Sequence, residues 1–226
     1  MVRHAETERW LPARRALRAM GLRCATMLAA ALFAWTAALA QPAADRRVAL
    51  VVGNSAYRKV TPLPNPRNDA SDVAAALTAL GFEVITALDA DLAGFNQALG
   101  RFSRRAAEAD AALFYYAGHG VQLRSQNYFL PVDADPKDEI SAEFEFVAME
   151  RVNRALDKAT AAAVRIVVLD ACRDNPLARS VYAASRNVGE PSRGLARLDA
   201  ARGGTIVVYA TQPNEVAQDG AERNSP

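Results

Sequence analysis

Residues 111–120 read Ala111-Ala112-Leu113-Phe114-Tyr115-Tyr116-Ala117-Gly118-His119-Gly120. An unbroken apolar and aromatic run of this length suits a strand buried on both faces and is short for a buried helix. Gly118 and Gly120 interrupt it, so the spacing predicts a strand over Ala111–Tyr116, with His119 in a loop leaving its carboxyl end. Runs of the same kind recur at Val48–Val52 (ended by Gly53-Asn54), Phe82–Thr86, Arg165–Leu169 and Thr205–Tyr209. Helical spacing separates them. Ala70, Val73, Ala74, Leu77 and Leu80 share one face before Gly81, and Leu92, Phe95, Leu99, Phe102 and Ala106 share another. A third helix is predicted over Ala142–Ala161 from Met149, Val152 and Leu156. A hairpin is predicted over Val121–Val132, interrupted by Ser125-Gln126-Asn127 and closed by Pro131. Doubly buried strands alternating with helices define an α/β class: an open, mainly parallel sheet with helices on both faces and right-handed crossovers. The sequence runs only to Pro226, a short way past the fifth strand, so the sheet is expected to lack its C-terminal edge.

The first forty residues have another character. Arg14, Arg15, Arg18 and Arg23 precede the apolar stretch Met27–Ala37, and Ala38-Leu39-Ala40 supplies small residues around a cleavage point before Gln41. This is the pattern of a secretion signal over residues 1–40, with Met20 as an alternative start and 41–46 as a linker. The competing reading is an uncleaved anchor, but the run from Ala25 to Ala40 is shorter than the ~20 residues that span a bilayer. Export to a periplasm or to the outside, without stable membrane insertion after cleavage, is therefore expected. Removing six Arg and two Glu from totals of 27 basic and 25 acidic residues leaves 21 and 23, a net of −2. Such a body has no electrostatic case for nucleic acid. The same cleavage removes His4 and Cys24, so residues 41–226 keep one His and one Cys and no intramolecular disulfide.

Those two residues sit at comparable places. Tyr115–Gly120 leaves the third strand, and Leu169-Asp170-Ala171-Cys172-Arg173-Asp174 leaves the fourth. Ligands of open parallel sheets bind outside the carboxyl ends of the strands. If the strands are neighbours, His119 faces Cys172, and an imidazole beside a thiol favours the nucleophilic thiolate. Gly118 and Gly120 permit close backbone approach, and the amides of Gly120 and Cys172 are candidates to hold an oxyanion.

Together with Val51–Tyr57, Asn68-Asp69, Tyr116–Gly120, Phe129–Asp133 and Asp170-Ala171-Cys172, the chain resembles the caspase–metacaspase family, its bacterial metacaspase-like members in particular. Caspases carry the His about 50 residues before the Cys; here the separation, 172 − 119, is 53. The resemblance spans most of residues 46–226. It implies a caspase/hemoglobinase-type sheet and a catalytic domain over 47–226, C-terminally truncated. It implies a cysteine endopeptidase with His119 as general base and Cys172 as nucleophile, acting on polypeptides. Acidic positions matching Asp69 and Asp170 imply cleavage after Arg or Lys. The departures are Asp170 where caspases have Gln, and Asp174-Asn175-Pro176 where metacaspases commonly continue Ser-Gly.

Plainer readings stand beside these. Cys172 alone would be a buried structural thiol, and His119 a satisfied loop histidine. Asn68 or Asp69 would serve as a helix N-cap, and Asp170 would bind loop amides. Asp133, Asp135, Asp138 and Glu139 suggest a cation site only because some metacaspases respond to calcium; otherwise they form a solvated loop, and neither metal nor other cofactor is expected. Arg179, Arg186 and Arg193 are candidate self-cleavage sites or ordinary surface arginines in a small, polar stretch. The alternative to an enzyme is a non-catalytic caspase-like scaffold.

Overall fold

The structure, a computed structural model, describes residues 45–159, 164–171, the main chain of Cys172, and residues 195, 204–210 and 223–225. The expected signal segment with Met20, the linker up to residue 44, and Arg179, Arg186 and Arg193 lie outside the described residues. In chain order the elements are β1 (Arg47–Gly53), α1 (Pro66–Ala79), β2 (Phe82–Leu88), α2 (Leu92–Ala106), β3 (Ala111–Leu123), β4 (Gln126–Phe129), α3 (Glu139–Glu145), β5 (Val147–Ala148), α4 (Met149–Leu156), β6 (Val164–Cys172) and β7 (Thr205–Tyr209). No helix among the described residues is long and apolar enough to cross a membrane.

Five strands pair in parallel in the order β2-β1-β3-β6-β7. Side chains alternate across a strand, which divides the core in two. On one face Val48, Leu50 and Val52 pack with Phe95 and Phe102 of α2 and with Val152 and Leu156 of α4. On the other, Ala49 and Val51 pack with Ala70 and Leu77 of α1. Helices therefore cover both faces. Gly53 sets how near α1 comes to the sheet: a Cβ there would lie 2.4 Å from both the Ala70 Cβ and the Pro66 carbonyl oxygen.

Five local expectations need correction. β3 does not stop at Tyr116 but runs to Leu123, because β6 pairs it as far as His119 and β4 takes over antiparallel from Gly120 opposite Phe129. β6 likewise extends to Cys172, so neither residue sits in a loop. The hairpin turn falls at Arg124-Ser125, both in the left-handed region (φ 47° and 63°), and Gln126-Asn127 already belong to β4. The long third helix is two short ones. Phe146 is extended (φ −103°, ψ 162°), and Val147 and Ala148 pair with Phe129 and Tyr128 before α4 begins. Phe146 and Val147 are buried, so their contacts outweigh helical continuity. Finally, the N-cap position of α1 is Asn65, with Pro66 pre-set for the first turn; Asn68 and Asp69 lie inside the helix.

Candidate active site

His119 is 4% exposed, and its ring orientation has a visible cause. Its Nε2 lies 2.8 Å from the Thr61 carbonyl oxygen. A carbonyl can only accept, so Nε2 carries the proton and Nδ1 of the neutral ring carries the lone pair. The Tyr57 ring packs on the imidazole at 4.6 Å between centroids, tilted 49°. Thr61 and Tyr57 belong to the connection between β1 and α1, which is pinned by Asp89. That carboxylate accepts the N–H groups of Ser55 (2.8 Å) and Ala56 (2.9 Å) and meets Arg67 at 2.6 Å. Burial works against its charge, yet the Ala56 and Ser55 amides and Arg67 together hold Asp89 below the ordinary carboxylate range. Asn54, fully buried, ties the same region to the next turn, accepting the Ala90 N–H and donating to the Leu130 carbonyl, both at 2.9 Å.

His119 and Cys172 are partners in the β3–β6 ladder, so their α-carbons are neighbours across adjacent strands. The main chain of His119 faces the other way. Its carbonyl accepts the Leu130 N–H at 3.1 Å, on the β4 side. Successive residues of a strand direct their N–H and C=O groups to opposite edges. The Gly120 amide therefore turns away from β4, toward the β6 edge. A Cβ on Gly120 would meet Leu195 at 3.0 Å and Ala171 at 3.3 Å, so only glycine fits without displacing them.

Asp69 lies in the first turn of α1 and is 7% exposed. It accepts the Ser225 N–H at Oδ1 (3.0 Å) and the Ser225 hydroxyl at Oδ2 (2.8 Å). Next to it Asp72 receives Arg223 at 2.5 and 3.1 Å and Asn224 at 2.9 Å. Asp170 of β6 accepts the Tyr115 hydroxyl at 3.4 Å. Burial, then the charges of Asp170 and Asp69, push the Tyr115 phenol well above its ordinary value. One phenol thus senses both carboxylates, which face the α1 side of the sheet. The acids after β4 are committed locally: Asp133 accepts the Leu92 N–H, Asp135 pairs with Lys137, Asp138 makes a capping box with Ser141, and Glu139 pairs with Arg124. No group of three His, Cys, Asp or Glu side chains among the described residues could hold a metal ion.

Sequence reasoning assigned no role to Thr61, Tyr57, Tyr116 or Ser225. Thr61 acts through a carbonyl that any residue would supply, which leaves no mark in the sequence. Tyr57 closes the Val51–Tyr57 string and was legible only as part of it.

A parallel sheet ordered β2-β1-β3-β6-β7, with His119 and Cys172 opposed at the last rung of its β3–β6 pair, defines an α/β domain of the caspase type. The chain belongs to the caspase-domain family of cysteine peptidases, whose model matches residues 46–226. It is 34% identical over 94 residues to the human mucosa-associated lymphoid tissue lymphoma translocation protein 1, and 33% identical over 94 residues to the mouse homolog. Each match covers 42% of this chain and 11% of the relative, so the chain spans about a tenth of those proteins. Among solved structures it is similar to a Geobacter sulfurreducens protein (TM-score 0.56, 20% identity, 80% of this chain and 78% of that one). It is also similar to the Drosophila initiator caspase Dronc (TM-score 0.52, 16% identity, 82% and 61%). At these identities the structural likeness speaks for the fold.

Proposed function

We propose that the chain is a cysteine endopeptidase in which His119 and Cys172 form the dyad, and that it cleaves after Arg or Lys. The observation that carries this reading is the ladder partnership of His119 and Cys172 within a cysteine-peptidase family. With Nε2–H held by the Thr61 carbonyl, Nδ1 takes the thiol proton of Cys172. The thiolate attacks the scissile carbonyl carbon, and the amides of Gly120 and Cys172 stabilise the oxyanion. The imidazolium then protonates the leaving amine, and water releases the acid from the thioester. Asp69 and Asp170, sensed together by Tyr115, supply the negative charge for a guanidinium or ammonium before the cut. No metal or other cofactor enters these steps. In this reading the enzyme works after export and loss of residues 1–40.

The test is a fluorogenic Arg-amide peptide with wild type, Cys172→Ala and His119→Ala. Hydrolysis by wild type alone is expected. Equal background rates from all three would overturn the enzyme and leave a caspase-like scaffold. A preference for Asp-amide would overturn the pocket and spare the dyad.

A further inference from the structure

β3 changes partners beside His119. On that edge β1 pairs it up to Ala117 opposite Gly53, and β4 begins at Gly120 opposite Phe129. Gly118 and His119 lie in the seam, where no strand faces them. Two hydroxyls serve the seam instead. The His119 N–H donates to Tyr57 Oη at 2.8 Å, and Tyr116 Oη donates to the His119 carbonyl at 2.7 Å. The two hydroxyl oxygens are 3.4 Å apart. Tyr116 has a single proton and spends it on His119, so in that pair Tyr57 is the donor. The hydrogen bonds then run in a ring, from the His119 amide through Tyr57 and Tyr116 back to the His119 carbonyl.

Gly118 makes the same point independently. A Cβ on it would lie 2.6 Å from Tyr57 Oη and 2.8 Å from Tyr116 Oη, and its φ is +147°. The hydroxyl pair occupies the space that the missing side chain leaves. Both tyrosines are at most 5% exposed, so the ring excludes water.

We propose that Tyr57 and Tyr116 are positioning residues that fix the two peptide groups flanking the His119 α-carbon, and through them the ring whose Nε2 meets Thr61. This rests on His119 being the base proposed above, and it goes beyond that reading by naming what holds the base in place. Removing the Tyr57 hydroxyl takes away the acceptor of the His119 N–H, and removing the Tyr116 hydroxyl leaves the His119 carbonyl to the Leu130 N–H, the longer of its two bonds. Misplacing a general base by about an ångström costs about a hundredfold in rate.

The test uses the full chain with 15N-labelled histidine, as wild type, Tyr57→Phe, Tyr116→Phe and Tyr128→Phe. The last removes a hydroxyl that bonds Gln126 at 3.3 Å, away from His119. His119→Ala assigns the signals against His4. The wild-type imidazole is expected in one tautomer, protonated at Nε2. In Tyr57→Phe and Tyr116→Phe the nitrogen shifts should move toward a mixture. On the Arg-amide peptide kcat should fall about tenfold or more, with KM within about twofold, while Tyr128→Phe stays at wild type in both measurements. Wild-type nitrogen shifts in both seam variants would overturn the proposal, and so would an equal shift in Tyr128→Phe. If Tyr57→Phe fails to fold, Tyr116→Phe decides. If wild type hydrolyses no peptide, the peptidase reading falls, and the nitrogen shifts still decide whether the tyrosines hold the ring.

Discussion

His119 stands opposite Cys172 in the ladder between β3 and β6, at the end of β6. Adjacent strands are about 4.8 Å apart, and register changes only in whole residues, so this neighbourhood is either complete or lost. Nothing adjusts it by degrees. What tunes the pair is the smaller machinery on the opposite edge of β3, at Gly118, Tyr57 and Thr61.

Gly118→Ala is the sharpest probe of that machinery. The new Cβ collides with two buried hydroxyls, and the backbone at φ +147° suits only glycine. The strained dihedral costs about 1–3 kcal/mol, with overpacking on top. A lower urea midpoint at unchanged m value, together with loss of peptide hydrolysis, is the expected outcome. Wild-type stability would mean that the tyrosines move aside freely.

Asp89 predicts an acid limit. Its carboxyl titrates lower in the folded chain than in the unfolded one, because amides and Arg67 hold the charge. A depressed carboxyl stabilises the fold above its unfolded pKa, and that contribution is lost as pH falls through the folded one. The loop bearing Tyr57 and Thr61 should therefore loosen below the ordinary carboxylate range. Urea midpoints measured down through that range should fall less steeply for Asp89→Asn than for wild type. Parallel slopes would remove Asp89 from the account.

The α/β class, the five parallel strands and the adjacency of His119 and Cys172 were legible in the sequence, because buried parallel strands write themselves as apolar runs. The extension of β3 through Gly118-His119-Gly120 was not. Glycines around a histidine read as a loop, and only the pairing with β6 and β4 makes them a strand. The helix over Ala142–Ala161 failed for a related reason. The spacing of Met149, Val152 and Leu156 was real, but Phe146 and Val147, apolar and adjacent, belonged to burial and sheet pairing. At the site, the groups that hold His119 in place left no mark in the sequence. The Thr61 carbonyl and the tyrosine ring act on backbone or through it.

Self-processing follows if the chain cuts after basic residues. Incubated wild type should yield fragments ending at Arg179, Arg186 or Arg193, and Cys172→Ala should stay whole, as read by intact mass. Identical fragments from both would assign the cuts to another protease.

The substrate pocket offers a clean separation of charge from structure. Asp69 accepts both the N–H and the hydroxyl of Ser225. An Asn in its place can still accept the N–H through Oδ1 and donate to the hydroxyl through Nδ2. Asp69→Asn therefore removes the charge and keeps the tether, whereas Asp69→Ala removes both. A charged hydrogen bond contributes about 1.5–3 kcal/mol, so kcat/KM for the Arg-amide should fall roughly tenfold to a hundredfold in Asp69→Asn and in Asp170→Asn. The melting temperature should stay at wild type in Asp69→Asn and drop in Asp69→Ala. Asp72→Asn is the control, because Asp72 and Arg223 form an exposed pair of little energetic consequence. If Asp72→Asn lowers Arg-amide turnover as much as Asp69→Asn does, the effect is general field rather than recognition. If neither Asp69→Asn nor Asp170→Asn lowers it, the selectivity for basic residues lies elsewhere.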